Sequence, residues 1–165
     1  MLRSNMSRYI GYYAFFVALA LGPLGQRAVF ASAESERAAS AKSTFHYLMG
    51  LIHEWDGEAE EALDEYKKAE KVDGESYLIY LKLGSNYARL GKFPEAIKEL
   101  NKAAELNSED LQSHYILAIV YSSQQDFDKA AQEYEIILKS YSKTDPKNTE
   151  VHNYLGQLYY SQKKI

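Results

Sequence analysis

Residues 77–110 read YLIYLKLGSNYARLGKFPEAIKELNKAAELNSED, and this stretch decides the fold of the chain. In its first half, residues recur at i, i+3, i+4 and i+7, the spacing of one α-helical face: Tyr80, Leu83, Gly84 and Tyr87. Pro94 then follows the Gly91 turn, at the first-turn position where proline loses no intrahelical hydrogen bond. The stretch therefore predicts two antiparallel helices joined by a tight turn.

The same pattern recurs along the chain at an interval of 34 residues. Small residues return in register in both helices: Gly50, Gly84 and Ala118 in the first, Ala62, Ala96 and Ala130 in the second. A glycine inside a helix costs about 1 kcal/mol relative to alanine, so its recurrence needs a compensating reason. Close approach of the two helix axes supplies that reason. We expect units at 43–76, 77–110 and 111–148, followed by a half unit at 149–165.

These residues resemble the tetratricopeptide repeat, whose pattern is Trp-x2-Leu-Gly-x2-Tyr followed by Ala, Phe, Ala and Pro. The resemblance covers residues 43–165 and implies an all-α fold, a right-handed α-solenoid of about three and a half helix-turn-helix units. The chain departs from the pattern at the large aromatic position and at the proline: His46, Tyr80, His114 and His152 stand at the first, and Pro146 alone at the second. A 38-residue spacing up to Leu155-Gly156 predicts that the second helix of unit three runs one turn further, through Tyr141.

Residues 1–33 differ in composition from the rest of the chain. They hold Arg3, Arg8 and Arg27 and no acidic residue, and an apolar run occupies residues 9–24. Small residues at Ala31 and Ala33 suit signal peptidase, so we interpret 1–33 as a secretory signal peptide and 34–42 as a short lead-in. Cleavage after Ala33 is favoured over cleavage after Ala31. It leaves 16 basic and 23 acidic residues, a net charge of −7.

Two alternatives remain open for this segment. The run at 9–24 approaches the length that spans a bilayer, so it is also readable as an uncleaved inner-membrane anchor. Gly22, Pro23 and Gly25 argue against a spanning helix. The translation start is either Met1 or Met6, because Arg8 supplies a positive charge in both cases.

Composition and motifs argue against an enzyme. The 165 residues include no cysteine, the formal net charge is −4 with a pI near 5.6, and no glycine-rich phosphate loop occurs. His46, His114 and His152 share one repeat position, which spaces them a repeat apart instead of around one ion. We therefore expect no catalytic residue, no metal site, no cofactor and no nucleic-acid partner.

The family resemblance implies a concave groove built from the first helix of each unit, which holds a protein or peptide. Carrying the groove positions over gives a largely apolar set: Tyr47, Leu51, Trp55, Leu78, Leu81, Arg89, Tyr115 and Ile119. One subgroup grips acidic peptide C-termini with Lys and Asn at such places, but this chain has Tyr47, Leu51, Leu81 and Ser85. Half-burial between neighbouring units is the structural alternative for these aromatics.

The sequence thus predicts a noncatalytic interaction scaffold that is periplasmic or secreted. The alternative is the N-terminal structural portion of a larger anchored or secreted repeat protein. The final half unit lacks a second helix, so Leu158 and Tyr159 are expected to form a terminal edge open to self-association or docking.

Overall fold

A computed structural model describes residues 22–141 and 149–161, and every regular element in these two ranges is an α-helix. Seven helices follow one another there: α1 (Gly22–Asp56), α2 (Ala59–Val72), α3 (Tyr77–Arg89), α4 (Phe93–Leu106), α5 (Leu111–Ser123), α6 (Phe127–Tyr141) and α7 (Thr149–Ser161). From residue 43 onward they pair as helix-turn-helix units, which confirms the all-α solenoid fold predicted from the 34-residue period.

Helix α1 is longer than expected, with 35 residues. It runs through 34–42, the segment expected to be a lead-in before the first helix. Alanine is the strongest helix former, and Ala38, Ala39 and Ala41 lie in that segment. The chain consists of two compact units that meet between Lys42 and Ser43. Most of the apolar run at 9–24 lies outside the described residues, and none of the helices within them is long and apolar enough to cross a membrane.

The turns inside the three hairpins share one backbone conformation. Gly57, Gly91 and Gln125, each 34 residues apart, have positive φ angles of 83°, 71° and 62°. The next amide bonds back across each helix end at 2.8–2.9 Å, as in the link from Lys92 to the Tyr87 carbonyl. Glycine adopts this left-handed conformation without strain. In the third hairpin glutamine, Gln125, takes the place of glycine and has the same conformation.

Close packing of the two helices in each hairpin explains the recurring small residues. A Cβ placed on Gly84 would lie 2.5 Å from Leu100 Cγ, and one on Gly50 would lie 2.5 Å from the Tyr66 ring. Ala96, on the second helix of the same hairpin, is completely buried. Any larger side chain at these positions would force the helices apart. The hairpins stack because α2 packs on α3, α4 on α5 and α6 on α7.

The second helix of unit three, α6, runs through Tyr141, which is the last described residue before 142–148. The rest of the long spacing falls at 142–148, which lie outside the described residues, as does Pro146.

Candidate partner-binding groove

The predicted groove residues lie on the first helices of the units, at three different depths. Trp55, Leu78 and Ile119 are exposed by 91%, 42% and 46%. Arg89 is also exposed, and three more side chains are half-buried: Tyr47, Leu51 and Tyr115. The groove surface therefore combines exposed aliphatic side chains with partly covered aromatic rings.

Leu81 does not belong to this surface, so its assignment to the groove is wrong. It is only 4% exposed and belongs to the core cluster that includes Leu83 and Leu100. The equivalent residues Tyr47 and Tyr115 are larger and half-buried, whereas the shorter leucine lies within the core. Truncating Leu81 would remove core packing and could not report on partner binding.

The half-buried aromatics are partly structural. The Tyr47 ring lies 5.7 Å from the Tyr66 ring, and Tyr115 lies 6.3 Å from Tyr134 in an edge-on arrangement. Each pair joins the first helix of a unit to its second helix at the same repeat position. These contacts hold the rings of Tyr47 and Tyr115 against the second helices of their units.

An open cleft of about 170 Å³ brings two of the predicted residues together. Tyr47 of α1 and Leu78 of α3 line it, and its remaining lining combines hydroxyl, carboxylate and apolar groups: Ser43, Thr44, Asp73, Ser76 and Ile79. The cleft is large enough for one or two side chains of a bound peptide. Ile119 and Tyr115 are not among its lining residues and lie on α5.

A polar network joins units one and two beside the groove. Glu54 accepts hydrogen bonds from the Tyr66 hydroxyl at 2.7 Å and from Lys82 Nζ at 3.0 and 3.2 Å. Burial raises the pKa of Glu54, but the hydrogen bonds from Tyr66 and Lys82 and the lysine charge outweigh it and hold the pKa below its ordinary value. Burial and the bond to Glu54 raise the pKa of Tyr66. The ammonium group of Lys82 is thus held by Glu54.

Asn86 is a buried polar residue that the sequence analysis did not single out. It is completely buried, its Nδ2 donates to the Lys82 carbonyl at 2.9 Å, and its Oδ1 has no partner within the described part of the chain. Ile52 and Val120 occupy the same repeat position. A single asparagine at a position that is apolar in the other two units was the sequence signal that could have identified it.

Three of the four histidines contact glutamates, each in a separate pair. His46 contacts Glu65 and His114 contacts Glu133, each at 2.7 Å and each between the two helices of one hairpin. His53 contacts Glu58 at 2.7 Å across a turn. Within residues 22–141 and 149–161, no cluster of three or more potential metal ligands occurs.

The terminal edge on α7 differs from the interior units. No described atom lies within 4 Å of a Cβ added at Gly156, whereas one added at Gly84 would meet Leu100. Tyr160 is 73% exposed, and Tyr159 is 37% exposed with its hydroxyl 3.1 Å from Glu135. The side chain of Leu158 lies outside the described set.

Comparison with known families identifies the fold. The model of a family described as Tetratricopeptide repeat matches residues 81–143 and 115–165, which together span more than half of the chain. The chain belongs to the tetratricopeptide repeat family.

Several relatives and solved structures are similar to parts of the chain. The mouse BBSome complex member BBS4 is 33% identical over 103 residues, covering 62% of this chain and 19% of that protein. The type IV pilus assembly protein PilF of Pseudomonas aeruginosa is 31% identical over 97 residues, covering 59% and 37%. The first TPR of Spaghetti (RPAP3), solved with the HSP90 peptide SRMEEVD, has a TM-score of 0.67 at 25% identity, covering 74% and 94%. The chain therefore spans less than two fifths of either relative.

Proposed function

We propose that the chain is a noncatalytic module that binds a protein or peptide partner along the first helices of its repeats. Tetratricopeptide repeat domains are protein-interaction scaffolds, and residues 43–165 carry such a domain. The observation that supports the groove as the contact surface is the exposure of Leu78 and Ile119 on α3 and α5 beside the Tyr47 cleft. Apolar side chains on a concave surface are suited to apolar anchors of a ligand.

The groove chemistry favours an extended peptide with apolar anchors over an acidic tail. Leu78 and Ile119 offer aliphatic contacts, and Lys82 is already paired with Glu54. Arg89 remains the exposed basic residue among the predicted groove positions. We therefore expect the acidic peptide SRMEEVD, which the Spaghetti repeat domain holds, to bind this chain weakly or not at all.

The test compares two exposed positions in the groove with one outside it. Leu78→Glu together with Ile119→Glu places charge on the first-helix face, whereas Ile136→Glu places it on the second helix α6, where Ile136 is 41% exposed. We expect the double variant to lose partner capture from a bacterial envelope extract by at least about tenfold, because a buried unpaired charge in an interface is costly. The control should bind as wild type does, and all three should melt at similar temperatures. Equal capture by the double variant and wild type would refute groove binding.

We further propose export to the bacterial envelope, directed by residues 1–33. The basic residues ahead of the apolar run and the small residues at Ala31 and Ala33 support this assignment. Both alanines lie within α1, so cleavage after Ala33 would leave a shorter first helix that begins near Glu34. The mass of the protein recovered from cells tests the assignment. A chain that retains Arg8 in the envelope would favour the inner-membrane anchor, and one that retains it in the cytoplasm would contradict export.

A second candidate is the structural portion of a larger anchored or secreted repeat protein. The short coverage of the matched relatives, 19% of BBS4 and 37% of PilF, favours it. In that case α7 packs against a further helix at Tyr159. Detection in cells of a product longer than 165 residues that reacts with an antibody to α3 and α4 would support this candidate.

A separate docking site on α7 is also proposed. The open space at Gly156 and the exposed ring of Tyr160 leave room for another helix. Leu158→Lys combined with Tyr159→Lys should reduce association at this edge while leaving capture by the groove unchanged. Loss of neither property would eliminate the edge as an interface.

A further inference from the structure

A row of exposed apolar side chains lies on α1, and only its last member, Trp55, was among the predicted groove residues. Phe45, Leu48, Ile52 and Trp55, here called the α1 stripe, are exposed by 58%, 51%, 52% and 91%. Their spacing of 3, 4 and 3 residues places them on one face of the helix, as in the seam of a two-stranded coiled coil. All four lie after Ser43, inside the repeat domain.

The equivalent positions in the other repeats show which neighbour this helix face contacts. The residues equivalent to Phe45 and Ile52 are Ile79 and Asn86 in unit two, at 2% and 0% exposure. Ile79 lines the cleft with Tyr47 of α1, so it faces unit one. The Asn86 amide helps to lower the pKa of Glu54 on α1, which places Asn86 near that carboxylate and on the same side. In unit three the equivalents are Ser113 and Val120, at 0% and 2% exposure. This face of a first helix is thus the interface with the preceding unit.

At some of these positions polar residues are buried and at others apolar residues are exposed, the reverse of the usual distribution. The covered positions in units two and three include the polar Asn86 and Ser113, whereas the open positions in unit one are large and apolar. Terminal repeats require a polar outer face for solubility, and the α1 stripe lacks one. A continuous apolar row of this kind on a surface indicates an interaction site.

We propose that the α1 stripe is a homodimer interface, in which α1 of one copy packs against α1 of a second copy. An isologous pair places the same patch on both partners, and two-fold dimers are the commonest oligomers. The stripe itself carries no charge, so two copies meet there without repulsion, although the chain as a whole is acidic with a net charge of −4. A helix with a coiled-coil seam is complementary to a second copy of itself.

The available area sets the expected strength of the dimer. The stripe has one almost fully exposed side chain and three half-exposed ones, which together offer on the order of 500 Å² of apolar surface per copy. Complete burial on both copies would remove about 1,000 Å² in total, which is below the ~1,200 Å² of stable interfaces and typical of weak, transient ones. The dimer should therefore be weak, with a dissociation constant in the micromolar range.

Sedimentation velocity of the full chain over a micromolar concentration range tests this proposal. Wild type should show a monomer–dimer equilibrium, and Leu48→Lys with Ile52→Lys should weaken it by at least about tenfold without lowering the melting temperature. Ile136→Lys is the matched control, since Ile136 is also a half-exposed isoleucine, on α6. Neither Leu48 nor Ile52 is a groove residue, so the lysine variant should still capture the partner when it no longer dimerises. A variant that loses partner capture through the groove should likewise still dimerise.

A cross-link gives an independent readout because the chain has no cysteine. Ile52→Cys treated with a short bismaleimide should yield a covalent dimer, whereas Ile136→Cys should not. Three results would overturn the proposal: a monomer at all concentrations, association that survives the Leu48 and Ile52 lysines, or association abolished by the Leu158 and Tyr159 lysines alone. The second result would assign association to another segment, such as the apolar run at 9–24.

Discussion

Gly84 and Gly156 hold the same place in the repeat but have different surroundings. At Gly84 the second helix α4 lies so close that a Cβ would meet Leu100 at 2.5 Å from Cγ and 3.1 Å from the backbone nitrogen. At Gly156 nothing described lies within 4 Å of a Cβ. The repeat motif therefore specifies a helix with a glycine at this position. Whether the space beside that glycine is occupied depends on the neighbouring helix.

The same contrast distinguishes the two junctions between units. Between units one and two, Glu54 and Lys82 form an ion pair. Between units two and three the equivalent residues are Ala88 and Ile116, both packed against the core. Register fixes which positions meet across a junction, while side-chain chemistry fixes how that junction responds to pH and to substitution.

The largest expected effect on stability is at Gly84, where the neighbouring helix occupies the space beside the glycine. Gly84→Leu should lower the free energy of unfolding by about 3 kcal/mol or more, because the backbone of α4 cannot yield as a flexible side chain could. Lys92→Leu, at an exposed turn position, should change it little. Urea denaturation of both variants measures the difference. Similar losses at the two positions would contradict the hairpin register.

The next effect compares two leucines on α3. Leu81→Ala should cost about 2–4 kcal/mol, because Leu81 is 4% exposed and its removal leaves a cavity. Leu78→Ala should cost less than about 1 kcal/mol, since that side chain is 42% exposed. Thermal unfolding followed by circular dichroism separates them. If Leu78 proved the costlier truncation, the assignment of the groove face on α3 would be wrong.

A smaller effect compares two N-caps in the same register. The Asp110 carboxylate accepts hydrogen bonds from the Ser113 amide at 3.2 Å and the Ser113 hydroxyl at 2.9 Å. Ser76, at the start of α3, makes no side-chain cap bond. We expect Asp110→Ala to cost about 1 kcal/mol and Ser76→Ala only a few tenths. Chemical denaturation can resolve the two; equal costs would show that the Asp110 bonds contribute nothing.

The smallest expected effect is the acid response of the first junction. The pKa of Glu54 is below its ordinary value of 4.5, so its stabilising contribution is present above that value and is lost as pH falls through the lowered pKa. Glu54→Gln should therefore reduce the loss of stability between neutral pH and pH values below 4.5. Melting temperatures across that range provide the measurement. An unchanged acid dependence would show that Glu54 has the same pKa in folded and unfolded chains.

Much of the fold could be predicted from the sequence because small residues at a fixed period leave few packing solutions. Gly50 and Gly84 indicated the close helix pairs, and Gly91 marked the corner of the middle hairpin. Gln125 could not be predicted to adopt the same positive φ, since side-chain identity does not require it. The continuation of α1 through 34–42 was missed because composition favoured a signal and lead-in.

The candidate site was predictable only in part. Repeat position placed Leu78 and Ile119 on an exposed face, and both are exposed. It could not give the depth of Leu81, because the repeat position alone does not distinguish this buried leucine from the half-buried Tyr47 and Tyr115. Nor could it show that Asn86 is buried or that the α1 stripe is exposed. Both depend on whether a preceding unit packs against that face of the first helix.

The central claim is that the neighbouring helix determines the energetics of each repeat position. The most direct measurement is the free energy of unfolding for Gly84→Ala and Gly156→Ala. Alanine gains about 1 kcal/mol of helix propensity at both positions, but at Gly84 the clash with Leu100 outweighs it. We predict opposite signs, with Gly84→Ala destabilising and Gly156→Ala stabilising. The same sign for both substitutions would contradict the claim.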